Sequence, residues 1–158
     1  MPVSEADFRN ALSRFPSGVT VVTTKDAAGN LHGITVSAFC SVSLAPPMVL
    51  ICIEKATASH DSFAESGVFV VNVLSELQRH LSERFAAPAD DKFSDVEFHP
   101  GIAGVPVLNH ALANVECRLK NAYDGGDHTI FLGEVERVTI GDGDPLVYFH
   151  HDYTSVKL

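Results

Sequence analysis

Three segments of the sequence carry polar or aromatic residues that the packing of a hydrophobic core does not explain. The first is the stretch 33–50, GITVSAFCSVSLAPPMVL, with small hydroxyl-bearing residues where a core strand would carry Val or Ile. Small side chains leave the backbone N–H groups accessible, which suits a flat, polar ring lying against them. The stretch therefore predicts a binding surface for a planar ligand.

The other two segments place single functional groups beside a turn or a helix end. In GGDHTIFLGEV, residues 125–135, a glycine-rich turn precedes a strand and directs His128 outwards. Binding residues are common at loop ends, although a histidine there can equally be a solvated turn residue. In SERFA, residues 82–86, Arg84 and Phe85 join a cation to an aromatic ring. Taken alone, Phe85 would be a core residue and Arg84 a solvated charge.

Motifs for several other kinds of chemistry are absent. No GxGxxG follows a strand, no GxxxxGKS/T occurs, and no GxSxG elbow is present. These absences argue against a Rossmann or P-loop nucleotide site and give acyl transfer no support. None of the eight histidines lies in HExxH or paired Cys/His spacing, and the pair at 150–151 would project to opposite faces of a strand. We therefore expect no metal site.

Length, composition and charge narrow the class of protein. Of 158 residues, 46% are apolar and 20% charged, which predicts one globular domain over 1–158. The formal net charge of −9 has the wrong sign for binding nucleic acid. No apolar run approaches the ~20 residues of a membrane span and the first ten residues lack a secretory signal, so we expect a cytoplasmic protein without membrane contact. The three cysteines, an odd number without CxxC spacing, are interpreted as buried, reduced thiols.

Local patterns predict a chain that is mainly β. Ser4 is a capping residue for a short N-terminal helix that ends by Pro16. A hairpin follows, with GVTVVTTKD and LHGITVSAF as strands around the turn DAAGN. Further strands rich in Val and Ile are predicted at Met48 to Glu54, Val68 to Val73, Ala113 to Tyr123, Thr129 to Ile140 and Pro145 to Phe149.

Two helices and one long loop interrupt these strands. Amphipathic helices are predicted at Thr57 to Glu65 and at Ser75 to Phe85, the second with Leu77 and Leu81 on its core face. The stretch from Ala86 to Gly104 is rich in Pro, Gly and acids and predicts a loop. Many short strands with a few covering helices predict a closed or half-closed antiparallel barrel.

Taken in order, these segments resemble the flavin reductase-like family, the FMN-binding split barrels that act as reductase components of two-component flavin monooxygenases. The resemblance includes FPSGV at 15–19, TVSAFCSVSLAPPMVL at 35–50, FVVNVLSELQRHLSERFA at 69–86, GGDHTIFLGEV at 125–135 and PLVYFHHDY at 145–153. It implies a single flavin reductase-like domain that is mainly β, a split β-barrel of the Greek-key, FMN-binding type with a few short covering helices. It also implies a homodimer that reduces FMN or FAD with NADH or NADPH and supplies diffusible reduced flavin to a partner monooxygenase.

The resemblance assigns flavin-binding roles to residues that match the family pattern. The strand along the isoalloxazine ring and ribityl chain is matched by Thr35, Val36, Ser37, Ala38 and Phe39. The strand end and helix start that hold the flavin phosphate are matched by Cys52, Lys55, Thr57 and Ser59, which agrees with the preference of anions for a helix N-terminus.

Four further residues match positions near the rings of the two cofactors. Arg84 and Phe85 match an element close to the flavin or the nicotinamide, and His128 and Tyr153 match positions at the pyridine nucleotide. The segment His150-His151-Asp152 is less basic than the family pattern, so the choice between NADH and NADPH stays open.

The implied chemistry needs no acid–base residue from the protein, and no residue is assigned as catalytic. Hydride passes directly between the two cofactors, so the protein has to stack their rings about 3–3.5 Å apart and exclude water. Lys55 is the one cation near the predicted phosphate site, which predicts micromolar binding and a flavin that diffuses away. Two alternatives to a reductase remain. The first is a non-catalytic split barrel that binds flavin or haem, or an electron carrier with tightly bound FMN. The second is a structural barrel without a ligand.

Overall fold

The computed structural model describes residues 2–156, which form a mainly β structure with short helices. The α-helices of this part of the chain are Glu5–Leu12 (α1), His60–Ser66 (α2) and Arg79–Ala86 (α3), and 3-10 turns lie at Glu76–Gln78 and Ile102–Gly104. The strands are Ser17–Gly18 (β1), Thr20–Lys25 (β2), Leu31–Val36 (β3), Phe39–Leu44 (β4), Pro47–Glu54 (β5), Val68–Val73 (β6), Phe98–Pro100 (β7), Pro106–Leu108 (β8), Ala113–Gly125 (β9), His128–Ile140 (β10), Val147–Phe149 (β11) and Asp152–Thr154 (β12). The predicted mainly β class is confirmed.

One antiparallel sheet of seven strands, in the order β3-β2-β6-β9-β10-β5-β4, organises the molecule. Its two edge strands, β3 and β4, are consecutive in the chain and only Ser37 and Ala38 lie between them. Three peptide units reach at most about 11 Å. The sheet must therefore curl until its edges meet at these two residues, which we call the edge crossing. Here the Cys52 N–H of β5 donates to the Ala38 carbonyl at 3.0 Å.

The core lies on both faces of this sheet. One cluster joins the rings of Phe63, Phe69 and Phe131 to Val and Ile side chains of β2, β5 and β6. On the other face, α3 places Leu81 and Phe85 against β2 and the segments around 108 and 146. Because β6 is buried on both faces, its sequence is an unbroken apolar run apart from Asn72, and the strand has the predicted bounds.

The helices differ from the predictions at their ends. Ser4 caps α1 as expected, since its Oγ accepts the Asp7 N–H at 3.0 Å. The second helix begins at His60 rather than Thr57, because residues 55–59 form turns, and it ends at Ser66, followed by Gly67 with φ +71°. The predicted core position of Leu77 is wrong: a 3-10 turn precedes α3 and shifts the helical phase, leaving Leu77 83% exposed.

Two predictions about single residues are also wrong. Only Cys117 is buried, whereas Cys52 is half-buried and Cys40, on edge strand β4, is exposed; all three thiols are free. Burial raises the pKa of the Cys117 thiol to about 12. His150 and His151 do not lie in a strand, because both have positive φ, +53° and +64°, in the turn between β11 and β12.

The predicted loop from Ala86 to Gly104 is irregular only in its first part. Its second part contains β7, which pairs with β8, and the 3-10 turn at Ile102–Gly104. These three-residue elements are too short to give a periodic signal in the sequence. Among the helices of residues 2–156, none has the length and hydropathy needed to cross a bilayer.

Candidate functional site

A groove of about 970 Å³ opens between strand β3, the loop after β5 and the loop after α3. Its lining includes Gly33, Ile34, Glu54, Thr57, Ser59, Phe85, Asp90, Lys92 and Phe93. A second cavity, of about 990 Å³, lies between residues 75–81, 95–111 and 139–144 and is lined by none of the predicted site residues. The first groove is therefore the candidate site.

The floor of the groove depends on a glycine. A Cβ at Gly33 would lie 2.6 Å from Cε1 of Phe85, so β3 approaches this ring only because residue 33 has no side chain. Phe85 packs edge-on against Phe93, with ring centroids 5.0 Å apart, and is fully buried. Phe85 thus supports the groove from below, in agreement with the core interpretation of this residue taken alone.

The predicted ring-binding residues lie where the two sheet edges meet. Ser37 and Ala38 are exposed, Val36 is buried, and Thr35 and Phe39 are half-buried. The Thr35 hydroxyl donates to the Ser82 carbonyl of α3 at 2.6 Å, which ties β3 to that helix. Ser37 and Ala38 at the edge crossing are thus small and accessible, as the sequence pattern of 33–50 predicted.

The predicted phosphate loop, residues 55–59, supplies fewer free groups than the resemblance suggests. The Thr57 hydroxyl donates to the Glu54 carbonyl, and the Lys55 ammonium pairs with Asp124, whose pKa it lowers. Ser59 makes no side-chain capping bond, so its hydroxyl is free in the part of the chain that the structure describes. Since α2 has only seven residues, its terminus adds little to an anion site.

His128 begins β10 directly opposite Glu54 of β5. Its Nδ1 lies 2.7 Å from Oδ1 of Asp127, and this hydrogen bond lowers the pKa of the aspartate. Nε2 has no hydrogen-bond partner within residues 2–156, and 42% of the side chain is exposed. This nitrogen is therefore available to a bound molecule, as a binding rather than a purely structural histidine requires.

The C-terminal segment meets α3 through Ser82, which sequence reasoning did not single out. The Tyr153 hydroxyl lies 2.7 Å from Ser82 Oγ, and the Arg79 guanidinium carbon lies 4.6 Å from the centre of the tyrosine ring. Arg84 donates to the Ser94 carbonyl and so holds the loop after α3 rather than lining the groove. Ser82 is fully buried, and it joins Thr35 to Tyr153.

Lys92 is the second residue that sequence reasoning missed. Its ammonium donates to the Phe85 carbonyl at 3.0 Å and to the Gly33 carbonyl at 3.3 Å. Burial lowers the pKa of this lysine. A single lysine after two aspartates in an irregular loop carries no sequence signal that separates it from a solvated charge.

The structure thus distributes the predicted residues over four places. Thr57, Ser59 and Phe85 line the groove, and Lys55 and His128 lie beyond it at the turn between β9 and β10. The ring-binding set and Cys52 lie at or beside the edge crossing, whereas Arg84 belongs to α3 and Tyr153 contacts that helix through Ser82. Nowhere in residues 2–156 do three His, Cys, Asp or Glu side chains converge on a possible metal position.

Comparison with known proteins identifies the family. The profile described as "Flavin reductase like domain" matches residues 12–157, so the chain belongs to this family. A "Probable flavin reductase" of Rhizobium meliloti (strain 1021) is 42% identical over 95% of this chain, and this chain spans 48% of that protein. The reductase component of 4-nitrophenol 4-monooxygenase/4-nitrocatechol 2-monooxygenase of Rhodococcus opacus is 40% identical over 94% of this chain, which spans 79% of it.

A solved structure supports the same class. The NADH:FAD oxidoreductase SgcE6 of Streptomyces globisporus C-1027, in complex with NAD and FAD fragments, superimposes with a TM-score of 0.93 at 34% identity. The match covers 99% of this chain and 95% of that one. The flavin reductase-like family predicted from the sequence is confirmed.

Proposed function

We propose that this chain is an NADH-dependent flavin reductase in which flavin and nucleotide meet at the edge crossing and the adjoining groove. The observation that carries the proposal is the position of the small, exposed residues Ser37 and Ala38 at the edge crossing, directly after strand β3, which also lines the groove. A planar ring can lie on the edge crossing without displacing side chains, and a polar tail can enter the groove. The relatives' activities support the same assignment.

The residues present fit a flavin. The half-buried ammonium of Lys92 and the free hydroxyl of Ser59 can hold an anionic group, while the ring needs only backbone and small side chains. When both cofactors are bound, they supply the hydride chemistry themselves, from nicotinamide C4 to flavin N5. The work of the chain is to position the two rings and to exclude water.

Thr35 and Tyr153 contribute to this positioning through α3. Both hydroxyls are fixed by Ser82, so β3 and the C-terminal segment keep a constant position relative to the helix. His128 presents its free Nε2 from the start of β10 and binds the nicotinamide nucleotide. None of these groups needs to gain or lose a proton for hydride to pass.

The proposal includes a partner enzyme and a second copy of the chain. Reduced flavin diffuses to a separate flavin-dependent monooxygenase, in keeping with the Rhodococcus relative. A homodimer covers apolar side chains such as Leu44 and Ile140 that the single chain leaves exposed. The cytoplasmic location stays a prediction from the sequence.

A steady-state assay tests the proposal. NADH and NADPH oxidation is followed with added FMN, FAD and riboflavin, after exhaustive dialysis of the purified protein. We expect NADH oxidation that depends on added flavin, with micromolar flavin affinity. Stoichiometric flavin retained through dialysis, with no turnover of added flavin, would instead identify an electron carrier with a fixed cofactor. No flavin binding at all would leave only the structural barrel.

A further inference from the structure

The ammonium of Lys92 occupies an unusual position for a lysine in a polar loop. Lys92 belongs to the loop after α3, and its ammonium donates to the carbonyls of Phe85 and Gly33. One carbonyl ends α3 and the other belongs to edge strand β3, so this single group joins two walls of the groove. A lysine ammonium has three N–H donors, and the two carbonyls leave one for a ligand.

No carboxylate neutralises this charge in the part of the chain that the structure describes. The groove-lining side chains include the acids Glu54 and Asp90, while His32 is bound to Asp26 at 2.9 Å. Within residues 2–156, Lys92 is thus the one lysine or arginine that lines the groove. Partial burial reduces the hydration of its charge and lowers its pKa, and both effects are relieved when an anion binds.

Lys55, which the sequence favoured for this role, is differently placed. Its ammonium pairs with Asp124 across the turn between β9 and β10, and it does not line the groove. An anion that bound Lys55 would have to displace that carboxylate. An anion that bound Lys92 would replace only water.

We propose that Lys92 binds the phosphate of the flavin, with the Ser59 hydroxyl on the opposite wall as a second donor. This inference rests on the proposed function for the identity of the ligand. It assigns FMN recognition to the loop after α3, and it gives a role to the groove between β3 and residues 54–59. Because the ammonium also joins α3 to β3, binding of the phosphate fixes the position of α3 relative to β3 where the phosphate lies.

The test compares FMN with riboflavin, which lacks the phosphate. Dissociation constants are measured by flavin fluorescence quenching for the wild type, Lys92→Gln and Lys92→Arg. The glutamine amide can still donate to the two carbonyls but carries no charge. We expect Lys92→Gln to weaken FMN binding about tenfold and riboflavin binding less than twofold, and Lys92→Arg to retain most of the FMN affinity. Inorganic phosphate should compete with FMN in the wild type and much less in Lys92→Gln.

Two further variants complete the experiment. Lys120→Gln removes an exposed lysine that pairs with Glu134 and does not line the groove, and it controls for the change in net charge. Lys55→Gln compares the two candidate lysines directly. Equal losses for FMN and riboflavin in Lys92→Gln, or a larger FMN-specific loss in Lys55→Gln, would overturn the inference.

Failure of the proposed function gives a different result. If the wild type binds FMN with the Lys92-dependent preference over riboflavin but oxidises no NADH, the phosphate site stands and the reductase proposal fails. If NADH oxidation proceeds with both flavins while the preference is unchanged in Lys92→Gln, the reductase stands and the phosphate site fails.

Discussion

The Nε2 atom of His128 has no hydrogen-bond partner within residues 2–156, and 42% of the side chain is exposed. Its partner nitrogen is fixed by Asp127, so the ring is oriented before any ligand arrives. In the sequence, a glycine-rich turn before a strand was enough to single out this residue. The Asp127 carboxylate adds the orientation that the sequence pattern alone did not predict.

We expect His128→Ala to raise the KM for NADH about tenfold and to change the Kd for FMN less than twofold. Loss of one hydrogen bond to the nucleotide costs about 1–3 kcal/mol in ground state and transition state alike. Steady-state kinetics at several NADH concentrations measure the first quantity, and fluorescence quenching measures the second. His80→Ala, on an exposed position of α3, is the matched control. Loss of FMN affinity with an unchanged KM would contradict the assignment of His128.

Asp26 gives the β2–β3 hairpin a dependence on pH. Hydrogen bonds from His32 and from Asn30 lower the pKa of Asp26 from its ordinary 3.8 to about 2. The stabilisation is therefore fully present above pH 3.8 and is lost as the pH falls towards 2. We expect Asp26→Asn to lower the unfolding temperature at pH 7 and to differ less from the wild type as the pH falls through this window. Thermal unfolding from pH 7 to 2.5 measures the difference, and a constant difference over that range would be the opposite result.

Lys92 and Ser82 show that a local sequence pattern does not reveal hydrogen-bond partners that are distant in the chain. Both owe their importance to backbone carbonyls or hydroxyls that are distant in the chain: Gly33 lies 59 residues from Lys92, and Tyr153 lies 71 residues from Ser82. A polar residue in a loop or on a helix has the same local sequence whether its partner is water or such a group. The predicted preference for Lys55 as phosphate ligand failed to anticipate Asp124 for the same reason.

Among the elements, inner strands of the seven-stranded sheet were predicted best. The bounds of β6 match the prediction, and β5, β9 and β10 differ by one or two residues at their ends. Edge strand β4 gave no such signal, because four of its six residues are exposed. The start of α2 and the phase of α3 were wrong where turns replace the first helical residues.

We expect Gly33→Ala to destabilise the fold by about 1–3 kcal/mol, because the added methyl group would lie 2.6 Å from Phe85. The ring must move, and with it the carbonyl that accepts from Lys92. Chemical denaturation measures the free energy of unfolding, and FMN titration measures the Kd of the groove for FMN. Gly18→Ala is the matched control, since a Cβ there meets no atom within 4 Å. Equal stabilities of the two variants would show that β3 and α3 separate easily.

At the scale of the whole molecule, the single chain leaves large apolar side chains in contact with solvent. Leu44 on edge strand β4 is 91% exposed, and Phe15, between α1 and β1, and Ile140, at the end of β10, are exposed as well. We expect sedimentation to give a particle of two 17.0 kDa chains at micromolar concentration, at low and at high salt, because burial of apolar surface is insensitive to ionic strength. A monomer throughout this range would contradict the proposed homodimer.

The edge crossing also bears on how the protein avoids aggregation. Sheet edges with unpaired N–H and C=O groups recruit strands from other chains, and proteins protect them by covering, charging or shortening them. Here Ser37 and Ala38 draw the two edges of the seven-stranded sheet together, so that near the crossing each edge shields the other from a foreign strand. The same two residues that leave room for a ring thus remove a site for intermolecular strand addition. Lengthening this connection should therefore increase self-association of the unliganded protein before it impairs its folding.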